Sequence, residues 1–209
     1  SANTEVYLCE QDAGMHGRRT LDIFYHSLPV CNQQLKKMWD RTLNVSRFAS
    51  LPDRLNRRLP GGQQHVIPWR RYQSRDIHGL QAKTQTHLSF TPEEELQGRL
   101  AMRKLGIPDG SPFVCFLGRD SAYLEATDPL YKQRWGTTHD FRDMSIHDYV
   151  PAAEEMVRRG YFALRMGSVV KEALATNNPK IIDYATKART DFMDIYLTAK
   201  CKFNVSCAS

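Results

Sequence analysis

The fold is most tightly constrained between residues 113 and 209, where short apolar runs alternate with amphipathic, helix-length segments. FVCFL at 113–117 is continuously apolar, the signature of a strand buried on both faces as in parallel sheets. A helix is predicted over 150–159, with Pro151 in its first turn, Gly160 closing it, and Ala153, Met156 and Val157 on its apolar face. Strands are predicted at 161–166 and 181–184. The segment 191–200 places Phe192, Ile195, Tyr196 and Ala199 on one helical face, with Asp191 as a possible cap, and 201–205 closes the pattern as a strand. Alternation of this kind predicts βαβ units, a parallel sheet and the α/β class.

Upstream the pattern is looser. EVYLCE at 5–10 and LDIFYH at 21–26 read as strands, and 32–43 as a helix with Leu35, Met38, Trp39 and Leu43 at helical spacing. Between 47 and 75, Pro52, Pro60, Gly61, Gly62 and Pro68 break regular structure, and arginines crowd in among Trp69 and Tyr72. Thr91, Pro92 and Glu94 predict a capped helix over 91–105, stopped by Gly106 and Pro108. The region 80–110 is the expected hinge between two units.

The 209-residue length allows one large domain or two small ones, with enough chain to bury a core. A hydrophobic share of 41% beside 25% charged residues is that of a globular protein. No stretch approaches the roughly 18 apolar residues of a membrane span, and no signal peptide is apparent. The expected location is cytoplasmic. The net charge of +6, rich in arginine, suits phosphate-bearing partners. Five cysteines at wide spacings form no CxxC pair, so a zinc cage is not predicted. Cys9, Cys115 and Cys201 are expected to be buried free thiols of a reducing compartment.

In open α/β sheets ligands bind beyond the carboxyl ends of strands. Arg119 follows the 113–117 run behind Gly118, where it either forks onto a phosphate pair or pairs with Asp120. Arg165 ends the next strand with Gly167 close behind, and has the same two readings. Asp183 and Asp191 are candidates for ribose or base hydrogen bonds, although Asp191 also suits a helix cap. Ser206 to Ser209 form a small-residue turn whose backbone N–H groups favour phosphate. Asp143 and His147 are acid/base candidates in the loop before the 150–159 helix, with His139 and Asp140 ranking similarly. HExxH, Walker and Asp-x-Asp patterns are absent, and no metal ligand set is predicted.

The words CFLGRDSAYL, FRDMSIHDYVPAAEEMVRRGYFALRMG and IIDYATKARTDFMDIYLTAKCKFNVSCAS, with YLCEQD and LNRRLPGG upstream, resemble a bacterial family classed as glycosyltransferases of surface-polysaccharide synthesis. The likeness runs over nearly the whole chain. A more distant likeness is to fucosyltransferase-type GT-B enzymes, whose His-x-Arg motif is matched here by Arg119 alone. Leu117 stands at the histidine position, and Asp120 where a second arginine is common.

The resemblance implies Rossmann-like parallel sheets in a GT-B-like arrangement, incomplete at this length. Residues 1–88 would be a partial acceptor-side unit, and 89–209 a partial nucleotide-sugar-binding unit. It implies metal-independent transfer of a sugar from a nucleotide-sugar donor to a glycan acceptor, without a cofactor. Arg119 and Arg165 would neutralise the diphosphate, Ser206 and Ser209 would assist, and Asp143 or Asp12 would deprotonate the acceptor. The chain is expected to be either an active enzyme of this type or, with its sheet cut short, an inactive one. The alternatives are a non-catalytic nucleotide- or glycan-binding module and a basic nucleic-acid-binding protein. The last rests only on the 47–75 arginines and is the least favoured.

Overall fold

A computed structural model of the chain describes residues 2–16, 20–67, 75–135 and 143–206. The chain divides into two compact units, Ser1–Thr91 and Pro92–Ser209.

In the first unit the described elements are helices α1 (Ala2–Asp12), α2 (Gln33–Thr42) and α3 (Ser50–Asn56), with a short 3₁₀ turn at Gly62–His65. The strand expected at 5–10 is instead the middle of α1. Val6, Tyr7, Leu8 and Cys9 are buried consecutively, and an apolar run of that length fits a buried helix as well as a strand. The strand expected at 21–26 reduces to one bridge, Phe24 to Val45. The α2 expectation matches: the Asn32 side chain accepts the Leu35 N–H at 2.8 Å and starts the helix. Val6, Tyr7, Leu8 and Trp39 form the core of this unit, with Phe24, Leu35, Leu43, Ile67 and Leu88 against them.

The second unit carries α4 (Pro92–Lys104), β1 (Phe113–Leu117), α5 (Ala122–Thr127), α6 (Tyr131–Trp135), a 3₁₀ turn at Ile146–Tyr149, α7 (Val150–Arg158), β2 (Phe162–Arg165), β3 (Ile181–Asp183), α8 (Tyr184–Lys187), α9 (Asp191–Lys200) and β4 (Asn204–Ser206). The four strands form one all-parallel sheet in the order β3-β2-β1-β4, a Rossmann-like arrangement. Alternation along β1 sends Val114 and Phe116 to one face and Cys115 to the other. The first face packs with Ala153 of α7, Ala163 and Ile181. On the second, the Cys115 thiol donates to the Leu197 carbonyl of α9 at 3.9 Å. Helices therefore cover both faces, which is why FVCFL is apolar throughout.

The helix ends follow local chemistry. After α7, the Tyr161 N–H reaches the Met156 carbonyl at 3.0 Å and the Gly160 N–H the Val157 carbonyl at 2.9 Å. This is a Schellman closure, which needs the positive φ of Gly160, +93°. Thr190, not Asp191, caps α9: its hydroxyl accepts the Met193 N–H at 3.1 Å. The cap falls one residue earlier because Thr190 has the extended backbone of a cap. Gly98 of α4 is buried because the Tyr196 ring of α9 fills its side-chain space, 2.2 Å from where a Cβ would stand.

Cys9 and Cys115 are buried free thiols, Cys201 is half-buried at the end of α9, and Cys31 is exposed. Burial, and then the neighbouring Cys201, raise the Cys115 thiol pKa far above its ordinary value, so it stays protonated. Among the described residues no helix is long and apolar enough to cross a membrane.

Candidate functional site

The sheet order places β2 on one side of β1 and β4 on the other. The connection out of β1 runs to β2 on one side while the connection out of β3 crosses to β4 on the other, opening a crevice at the carboxyl ends. A cavity of about 500 Å³ lies at that place, a size typical of small-molecule sites. Its wall comes from three strand ends: Gly118 and Arg119 after β1, Gly167 and Ser168 after β2, and Ser206 of β4. An apolar side is made by Leu117, Tyr123 and Val169, each more than 40% exposed. Apolar rings and chains left open to solvent beside an arginine suit a ligand with one flat, apolar end and one anionic end.

Two devices hold the rim. Asp120 accepts the Ala122 N–H at 3.0 Å with one oxygen and the Lys171 N–H at 3.0 Å with the other. It thereby ties the loop after β1 to the loop after β2. The Met144 N–H donates to the Arg119 carbonyl at 2.9 Å, so the 143–149 segment braces the same loop from beneath. Ile146 and Tyr149 of that segment lie 3.4 and 3.5 Å from where a Gly118 Cβ would stand. Gly167 has φ +156°, and a Cβ there would come 2.6 Å from Val170. Glycine lets the chain turn sharply along the cavity wall.

Of the residues singled out from sequence, Arg119, Gly167 and Ser206 are brought together at this cavity. Asp143 is half-buried beside Met144, one residue from the bond to the Arg119 loop. Arg165 and Asp183 lie elsewhere. They are register partners across β2 and β3 and form an ion pair at 3.1 Å, each only 3% exposed. Arg165 also donates to the Glu172 carbonyl at 3.0 Å. Asp183 accepts the Leu174 N–H and the Thr186 hydroxyl, both at 2.8 Å. Burial pushes the Asp183 carboxyl pKa up, but these hydrogen bonds and Arg165 together outweigh it, leaving it below the ordinary aspartate value.

Asp191 pairs with Arg189 at 2.9 Å, and Arg189 also reaches Asp194 at 2.8 Å. His147 is exposed, 3.9 Å from Glu172. Asp12 belongs to α1 of the first unit, where its carboxylate lies 3.2 Å from His87. Ser209, His139 and Asp140 lie outside the described residues, as do Trp69 and Tyr72.

Sequence reading passed over Asp120 as a rim clamp and Tyr123 as an apolar wall. The available signal was an aspartate two residues before a helix start, the usual spacing for a carboxylate that accepts a backbone N–H. Comparison with protein-family models, with curated proteins and with solved structures returned no match to this chain. The fold and cavity define an α/β protein with a Rossmann-like parallel sheet and a crevice at its switch point.

Proposed function

We propose that the crevice binds the nucleoside diphosphate of a nucleotide-sugar, and that the chain is the donor-binding part of a metal-independent glycosyltransferase of GT-B type. The observation that carries this reading is the meeting of Arg119, Gly167 and Ser206 with an apolar wall at the switch point. Arg119 holds the diphosphate through charge-assisted hydrogen bonds. The turns at Gly118 and Gly167 form the wall along which the phosphates lie, and Tyr123 and Val169 face the base. As the glycosidic bond to the leaving diphosphate breaks, negative charge grows on its bridging oxygen, and a fixed guanidinium stabilises it. Asp143 adjoins Met144, whose N–H holds the Arg119 loop, and would take the acceptor hydroxyl proton.

A second reading, binding without transfer, is favoured by one observation. Among the described residues that line the cavity, Asp120 is the one carboxylate, and both its oxygens already accept backbone N–H groups.

Calorimetric titration of the full chain with GDP-, UDP- and dTDP-sugars tests the binding. The expected result is micromolar binding of at least one, weakened about 10–100-fold in Arg119→Ala. Release of nucleoside diphosphate in the presence of glycan acceptors then separates transfer from binding. Tight, steeply salt-dependent RNA binding with no nucleotide-sugar binding would overturn both readings.

A further inference from the structure

Away from the crevice, α1 brings Glu5, Cys9 and Asp12 onto one helical face at i, i+4 and i+7. Across from them stands His87, 82 residues along the chain from Glu5. Its Nδ1 is 3.0 Å from the Glu5 carboxylate and its Nε2 3.2 Å from Asp12. One oxygen of Glu5, the sulfur of Cys9 and a ring nitrogen of His87 all lie within 4.8 Å of one another. Cys9 is 1% exposed, whereas the Glu5 and His87 side chains keep 22% and 17%. The cluster is therefore deep on the sulfur side and open on the other. The Thr84 hydroxyl donates to the Leu80 carbonyl at 3.0 Å, and its oxygen lies 3.0 Å from the Cys9 sulfur.

We infer that Glu5, Cys9 and His87 form a binding site for a zinc-type divalent transition metal, with His87 ligating through Nδ1. The donor set is one thiolate, one imidazole and one carboxylate, the mixture that borderline-soft Zn²⁺ takes. Tetrahedral zinc with its usual bond lengths needs ligand atoms about 3.3–3.8 Å apart. The 3.0 Å Nδ1–Glu5 separation is close to that, and no separation in the triad exceeds 4.8 Å. Asp12 supplies the feature that separates a metal site from a chance cluster. A ligating histidine characteristically donates its other ring N–H to a carboxylate, which fixes tautomer and ring orientation. His87 Nε2 faces Asp12 in that manner.

Binding displaces the Cys9 thiol proton to buffer, and the fourth position faces solvent for a water. The bound ion clips the 84–88 segment to α1. Without a metal, the same groups make a histidine held between two carboxylates, and the experiment separates these states.

The full chain, stripped with chelator, is titrated with Co²⁺ and then Zn²⁺. The expected result is one equivalent of Co²⁺ giving intense tetrahedral d–d bands and a thiolate-to-cobalt charge-transfer band, both bleached by Zn²⁺. Cys9→Ser loses the charge-transfer band, and His87→Asn and Glu5→Gln each weaken binding. Asp12→Asn, at a half-exposed position that folding tolerates, keeps the bands but weakens affinity about 10–100-fold. The proposal is overturned by the absence of a charge-transfer band in the parent chain. It is equally overturned by a band that survives both Cys9→Ser and His87→Asn, or by an affinity unchanged in Asp12→Asn.

Discussion

The carboxyl ends of β1 and β2 each bring an arginine, and the two have opposite fates. Arg119 stands two residues past the end of β1 and lines the crevice. Arg165 is the last residue of β2, in register with Phe116, and lies inside the sheet with Asp183 as its partner. The same side chain thus lines a cavity in one loop and serves as a buried brace in the next. The difference is two or three residues of strand length. It decides whether a guanidinium meets solvent and ligand or a carboxylate within the ladder. A buried pair of this kind fixes geometry more than it adds stability, because desolvation offsets much of its Coulombic gain.

Breaking the brace gives the largest expected effect. Arg165→Met should cost about 3–5 kcal/mol, because it leaves Asp183 charged and buried without its partner; urea denaturation measures it. The pH dependence has a definite sign. Asp183 has a lower pKa folded than unfolded, so its contribution is fully present above the ordinary aspartate value. It is lost as pH falls through the depressed folded value, and the loss should be shallower in Arg165→Met.

Arg119→Ala should do the reverse. Stability should fall less than in Arg165→Met, because Arg119 is half-buried and not enclosed in the sheet, while nucleoside-diphosphate affinity falls about 10–100-fold, the worth of a hydrogen bond to a charged group. Equal losses of stability and binding in both arginine variants would erase the distinction between brace and ligand. Gly167→Ala should cost about 1–3 kcal/mol and weaken binding, because the new methyl meets Val170 and the backbone angle suits glycine. Asp120→Ala is the mildest test: losing the rim clamp should weaken binding about 2–10-fold, the range of one ordinary hydrogen bond. Affinity unchanged in that variant would remove the clamp from the site.

Much of the second unit was legible because parallel strands buried on both faces are apolar at most positions, the paired Arg165 and Asp183 being the exceptions here. FVCFL, the 161–166 run and the 150–159 helix declared themselves for that reason. The first unit was less legible. EVYLCE satisfies a buried helix and a buried strand equally, and only packing against Trp39 and Leu88 decided for the helix. At the crevice, Arg119, Gly167 and Ser206 were readable as residues following strands. Arg165 and Asp183 looked equivalent because strand ends, not residue types, separate wall from core.

The sequence by itself determined the α/β class, the parallel character of the sheet, most helix limits in the second unit and three residues of the crevice wall. Those properties follow from local periodicity and end chemistry, which neighbours in the chain dictate. Tertiary structure alone decided the strand order that opens the crevice beside β1, and the register that buries Arg165 against Asp183. It also decided the meeting of His87 with Glu5 and Cys9. Each of these depends on segments far apart in the chain, whose approach is fixed by shared burial and leaves no periodic mark on either segment.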